Sequence, residues 1–304
     1  MATDAAVELI ELVEGGRVTG ATPRTRRSWA WLGLAPFLLL LLLFLVLPAL
    51  GVIGKGLHDA NGSWSLKPLS TALSTEKKAF RASIQLSLFS ALIGSILGTL
   101  LAYAIATTRR PRWLRSFATS FAGVAANMGG VVLAFAFISL LGKQGLATKI
   151  LKAMGWDLYS GSFKLASFGG FTTTYLYFQI PLMVLVTLPA VDGLKQSWRE
   201  AASNLGGTTF TYWRRVGLPV LAPSMLGGFL LLFANSFSAF ATAYALGTGS
   251  ANVVPLKISF YLQGDNTKAG NPMPYALATW MIIIIAISMI GYLVLRKRAE
   301  RWRS

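Results

Sequence analysis

Six stretches of this chain are too long and too apolar for a water-soluble core. They run roughly over 31–53, 82–107, 117–141, 169–190, 221–247 and 275–295, and include runs such as Phe37 to Leu47 and Met281 to Ile290. A helix crossing a bilayer needs about 20 mostly apolar residues. Each stretch meets that length. The pattern predicts an all-α polytopic membrane protein with six transmembrane helices. The chain is 13% charged, about half the level of a soluble domain. There is no cysteine, so no disulfide framework and no thiolate metal site. A single histidine, His58, makes a histidine-based metal site improbable.

The net charge of +17 raises the question of nucleic acid. Its distribution points to a membrane surface instead. Arginines cluster at Arg24, Arg26 and Arg27, at Arg109, Arg110, Arg112 and Arg115, at Arg199, Arg214 and Arg215, and at Arg296, Arg298, Arg301 and Arg303. Each cluster abuts the end of an apolar span. With both termini inside, every arginine except Arg81 is cytoplasmic, as the positive-inside rule favours. Lysines in the outer loops (Lys77, Lys78, Lys149, Lys152) weaken that asymmetry, so the arginines carry the orientation. The basic patches read as anchors on membrane lipid, with no nucleic acid partner. Trp29, Trp31, Trp113, Trp198, Trp213 and Trp302 fall near inner interfaces and read as belt anchors.

Residues 1–30 are polar and read as a cytoplasmic tail, with a short helix over 4–14. Residues 31–295 form the membrane domain, and 296–304 a basic cytoplasmic tail. The first apolar run exceeds the core of a signal peptide, so the first helix is expected to stay uncleaved. Pro36 and Pro48 fall within it; neighbouring helices can absorb such kinks. Three long outer loops follow, at 54–81, 142–168 and 248–274. The second holds Leu146, Ile150, Leu151 and Met154 at helical spacing, a pattern for a helix lying along the membrane surface. These loops either connect spans or dock a solute receptor. Gly94-Ser95-Ile96-Leu97-Gly98 is a G-x-x-x-G pattern, the mark of close helix packing.

The polar loop over about 195–219 carries the most specific pattern. Trp198, Ala201, Ala202 and Leu205 share one helical face. Gly206-Gly207 ends that helix, because glycine tolerates the left-handed turn of a helix stop. Thr208 or Thr209 can cap a second short helix bearing Phe210 and Trp213. Arg214 and Arg215 lie near its C-terminus, where the helix dipole favours cations. Leu218-Pro219 opens the next span, with proline suited to a first turn. Glu200-Ala201-Ala202, three residues, Gly206, nine residues, then Val216-Gly217-Leu218-Pro219 resembles the EAA loop of binding-protein-dependent ABC importers. The single departure is Val216, where isoleucine is usual.

That resemblance implies a permease subunit of the type I ABC-importer fold in the bacterial inner membrane. It implies that Glu200, Ala201, Ala202, Gly206, Arg214 and Pro219 contact a separate ATPase. The implied assembly has two ATPase subunits, a second permease, homologous or identical, and an extracytoplasmic solute-binding protein. ATP closure of the ATPases would push on the loop and open the pore outward. This chain would do no covalent chemistry and need no cofactor. It contains no G-x-x-x-x-G-K-[ST] segment, so ATP hydrolysis would belong to a partner. The apolar bodies of the spans contain no Asp, Glu, Lys, Arg or His, whereas ion-coupled carriers commonly use such residues.

Polar residues within the spans are candidates for the pathway. Asn127, with Gly129-Gly130, interrupts the third span. Asn235, Ser238 and Thr242 are spaced to share a face of the fifth, with Tyr244 beyond. Such residues either line a pathway or bond helix to helix. Segment order and the region from Phe233 to Leu256 resemble the spermidine/putrescine permease group, which implies a polyamine or another small organic ion. The spans offer a polycation only aromatic faces, and the expected outer loops are net positive, which favours an anion. The readings from other classes are an ATP-independent channel or carrier, and a membrane assembly factor that transports nothing.

Overall fold

The computed structural model describes residues 30–59, 62–108, 112–161, 163–247, 252–263 and 271–301. Among these the regular elements are helices, and the only β pairing is an isolated bridge between His58 and Trp64. The chain divides into two units, Met1–Leu50 and Gly51–Ser304.

α1 spans Ala30–Leu41 in the first unit and leads through a π-helical turn, Leu42–Val46, into α2, Leu47–Gly56, within which the first unit ends. The π turn has a local cause. Pro48 has no N–H to give to the Phe44 carbonyl, and its ring crowds that carbonyl. The turn ahead of it widens, and the Leu47 N–H bonds to Leu42 O. The same device recurs at Trp213–Gly217, where the Leu218 N–H bonds to Trp213 O just before Pro219.

The second unit is a helical bundle. Its helices are α3 (Lys67–Thr75), α4 (Lys77–Thr107), α5 (Arg112–Asn127), α6 (Gly130–Leu141), α7 (Leu146–Ala153), α8 (Phe168–Asp192), α9 (Gln196–Asn204), α10 (Thr209–Tyr212), α11 (Leu218–Phe237), α12 (Phe240–Gly247), α13 (Val254–Leu262) and α14 (Met273–Arg301). Small residues bring the axes together. A Cβ on Gly98 would sit 2.5 Å from Met183 Cβ and 2.8 Å from Ile180 O, so α4 meets α8 backbone to backbone. Gly94, one turn earlier, faces Gln179 and Leu232. The G-x-x-x-G pattern is thus a packing face. Gly228 admits Met183, and Gly291 admits Leu230, so α11 packs on both α8 and α14. Leu86, Leu133, Tyr175, Phe178 and Leu246 fill one buried cluster between α4, α6, α8 and α12.

Six helical stretches are long and apolar enough to cross a membrane. Two are broken. The third, expected over 117–141 with an interruption at Asn127 and Gly129-Gly130, breaks there: α5 stops at Asn127 and α6 starts at Gly130. Gly130 has φ +80°, which a right-handed helix cannot continue. By length and apolarity the third candidate is Val131–Ala153. A turn between Leu141 and Leu146 interrupts it, and the stretch overlaps the expected 117–141 span only over α6. The fifth, expected as one helix over 221–247, is broken at Ser238–Ala239. Neither glycine nor proline stands there. The break is held from outside, by Tyr175 OH donating to Ala239 O at 3.1 Å.

The loops are more ordered than their turn residues suggest. The amphipathic piece is α7, with Leu146, Ile150 and Met154 exposed. The helices α3 and α13 were read as loop. Each carries proline in its first turn (Pro68, Pro255), a start signal as well as a turn signal. The helix α13 is pinned to the start of α4. Glu76 accepts from Tyr261 OH at 2.8 Å, Lys257 Nζ lies 3.5 Å from Glu76 Oε2, and Val254 N–H donates to Ser83 Oγ at 2.8 Å. Burial, with the hydrogen bond and charge of Glu76 behind it, pushes the Tyr261 phenol up to about 12. The helix α14 runs on to Arg301, through most of the expected 296–304 tail. The expected tail helix over 4–14 lies outside the described residues, as do Arg24, Arg26, Arg27, Arg109, Arg110 and Arg303.

Candidate translocation pathway and coupling surface

The two helix breaks face one another. Between them lies a cavity of about 360 Å³, lined by Asn127, Gly129 and Gly130 on one side and Asn235, Ser238, Ala239, Phe240 and Thr242 on the other, with Phe178 behind. Asn127, Asn235, Ser238 and Thr242 therefore meet, but not as one face of one helix. Asn235 is in the last turn of α11, Ser238 caps it, and Thr242 belongs to α12.

Their local roles differ. Thr242 is 2% exposed. Its Oγ1 accepts from the Gly130 N–H at 2.9 Å and donates to Gly130 O at 3.3 Å, so it closes the opposite break. Asn127 Nδ2 donates to Gly123 O within its own helix. Ser238 Oγ donates to Asn235 O, finishing α11. Asn235 and Ser238 are exposed. Tyr244 does not line this cavity; its ring lies 5.5 Å from that of Phe240. A second cavity, about 430 Å³, shares Ser238 and Phe240 with the first and reaches Pro255 and Ile258 of α13 and Gln263 at its end.

Sequence reasoning missed a buried polar row behind this cavity. Gln179, 0% exposed, donates from Nε2 to Ser90 Oγ at 3.1 Å, and Ser90 Oγ lies 3.1 Å from Ser236 Oγ. Spacing alone does not single out one glutamine among the many polar residues of the spans.

The loop over 195–219 is a helix–turn–helix. Gly206 takes φ +74° and stops α9. Thr208 caps α10, accepting from Thr211 N–H at 3.3 Å. A cavity of about 720 Å³ lies behind α9, lined by Arg199, Glu200 and Ser203 with Tyr103, Asp192 and Tyr212. Glu200 Oε1 accepts from Gln196 Nε2 at 2.9 Å within α9. Arg115 Nη2 meets Asp192 Oδ2 at 2.7 Å, tying α5 to the end of α8. No residue of α9 is buried, and Ala201 is exposed and Ala202 half-buried. Leu205 is 89% and Phe210 72% exposed, which puts two apolar side chains on either side of Gly206. Arg214, Arg215 and Pro219 are exposed beyond them.

Residues 94–301, more than half of the chain, match the family described as the binding-protein-dependent transport system inner membrane component. The chain belongs to that family. It is an inner-membrane permease of the type I ABC-importer class. A ferric transport system permease protein of Haemophilus influenzae is 24% identical over 86% of this chain and 41% of its own length. A sulfate transport system permease protein of Synechocystis is 24% identical over 86% of this chain and 91% of its own. The chain thus spans less than half of the ferric relative and most of the sulfate one. A bacterial ABC transporter involved in importing the acidic polysaccharide alginate contains a chain of the same fold, with TM-score 0.66 and 18% identity over 90% of this chain and 95% of that one.

Proposed function

We propose that this permease forms part of a solute pathway at the cavity between its two helix breaks, and that a separate ATPase drives it through residues 195–219. The observation that carries this reading is the meeting of two interrupted membrane helices at one polar cavity, in a chain of this family. Interrupted helices bring backbone polar groups to a membrane interior only where protein or a water-filled cavity satisfies them. Asn235, Ser238 and Asn127 are the proposed contacts, and Tyr244 flanks them through Phe240. Glu200, Ala201, Ala202, Gly206, Arg214 and Pro219 are the proposed ATPase surface. Leu205 and Phe210 join it as exposed apolar anchors. The proposed partners are two ATPase subunits, a second permease and a solute-binding protein.

The substrate we propose is a small anion rather than a polyamine. The cavity wall holds no carboxylate among the described residues, which a polycation would favour. One relative carries the name of a sulfate system, an anion importer, while the ferric name of another points to a cation.

Reconstitution in proteoliposomes with the ATPase and binding protein tests the reading. Uptake should require ATP and the binding protein. Uptake without ATP would mean a channel or carrier, and a complex that hydrolyses no ATP would mean an assembly factor. Titrating the binding protein with sulfate, ferric ion and spermidine separates the substrates. Tight binding of spermidine alone would reverse the anion reading. The natural chain lacks cysteine, so single substitutions test the orientation. Thr75→Cys should react with an impermeant maleimide in intact cells, and Ser304→Cys only after permeabilisation.

A further inference from the structure

Gln179 occupies the middle of α8 and is wholly buried. A buried amide costs free energy unless it is bonded at both ends. Here one end is. Nε2 donates to Ser90 Oγ, while Oε1 lies against Gly94 with no donor among the described residues.

Stability alone favours an unbranched apolar side chain of similar length at this position. It would remove the orphan, and Ser90 would keep Ser236 Oγ at 3.1 Å and Ser87 O at 3.3 Å. The consequence of the amide lies in what it reaches. Ser236 sits between Asn235 and Phe237 in the last turn of α11, with Ser238 as the cap. One turn earlier on α8, Tyr175 OH holds Ala239 O on the far side of the same break. Between them on α8, Phe178 lines the cavity. Neighbouring turns of one helix thus grip the break on both sides.

We propose that Gln179 is a positioning residue for translocation. Through Ser90 and Ser236 it sets the rotation of the last turn of α11, and so the direction in which Asn235 and Ser238 meet the solute. The inference rests on the pathway reading above.

The test is Gln179→Met in the full complex with ATPase and binding protein. The orphan disappears, so the melting temperature of the complex should equal or exceed that of the natural protein. The transport KM should rise about tenfold, because loosening the support of a contact by a fraction of an ångström is felt at the contact. Labelling of Ser238→Cys by a small methanethiosulfonate should change rate severalfold when Gln179→Met is added. Ser236→Ala should shift KM in the same direction. Natural KM and labelling rate in Gln179→Met would overturn the proposal. A melting temperature that falls in step with transport would also overturn it, by making Gln179 a packing residue. If Asn235→Leu and Ser238→Ala transport normally, the pathway reading fails separately. The labelling rate would still report whether Gln179 sets the turn.

Discussion

The cavity and the coupling loop are both made of helix, break, helix, but the breaks are closed by different kinds of bond. In the loop, every closing partner is a sequence neighbour. Gly206 N–H reaches Ser203 O at 2.9 Å, Gly207 N–H reaches Ala202 O at 2.8 Å, and Thr208 caps the helix that follows. In the cavity, local bonds from Ser238 and Asn127 are joined by remote ones: Thr242 closes the turn at Gly130 from 112 positions away, and Tyr175 holds Ala239 from 64. A locally closed turn keeps its shape when the bundle around it shifts. A remotely closed break changes when its neighbours move. Under the proposed function, the loop would carry a push as a unit and the cavity would respond to one.

The sharpest way to break this comparison is to put a β-branched residue at each left-handed glycine. Gly130→Val has space, since a Cβ there meets only Ala241 at 3.6 Å, but its φ of +80° is strained for valine. Its cost, about 1–2 kcal/mol or more, falls on a turn tied into the bundle core. We expect most of the complex to fail to assemble, as size-exclusion chromatography in detergent would show. Gly206→Val carries the same strain in an exposed turn with nothing within 4 Å. It should assemble and insert but lose most uptake, which a transport assay on the purified complex measures. Normal uptake there would remove the coupling reading.

Glu200→Lys comes next. Glu200 is exposed and bonded only to Gln196 within α9, so the melting temperature of the isolated permease should barely move. Binding to the ATPase should weaken about tenfold or more if a cationic partner faces this carboxylate. Pull-down of the ATPase at low and high salt checks both the loss and its electrostatic origin.

Thr242→Val is a smaller change that isolates the remote bond. Valine keeps the shape but leaves the Gly130 N–H without its acceptor. The expected loss is about 1 kcal/mol, in line with interhelical hydrogen bonds in membranes, read as a lower melting temperature. The smallest effect belongs to Gly129→Ala. Gly129 has φ −105° and an added Cβ meets nothing within 4 Å. Stability should stay within about 0.5 kcal/mol. A large loss there would show that the break depends on both glycines.

The chain's own order of residues determined a good deal. Apolar length fixed six crossings, because hydrocarbon thickness admits no shorter helix. Gly94 and Gly98 announced a close crossing, because a Cβ there would clash, and Gly206 announced a stop, because its positive φ favours glycine. The helix–turn–helix over 195–219 was legible throughout because each of its bonds is local. At the cavity, Asn127 and Gly129-Gly130 marked one break. Nothing at Ser238-Ala239 marked the other. A hydroxyl from α8 decides it, and no pattern in α11 or α12 contains that information. The shared face expected of Asn235, Ser238 and Thr242 on one helix became two helices meeting at one cavity. Likewise Gln179 reads as one polar residue among many until α4 and α11 bring Ser90 and Ser236 beside it. Local hydrogen bonds and bilayer thickness act on neighbouring residues, and the sequence displays neighbours. Bonds between helices depend on which faces pack, and only the assembled bundle sets that.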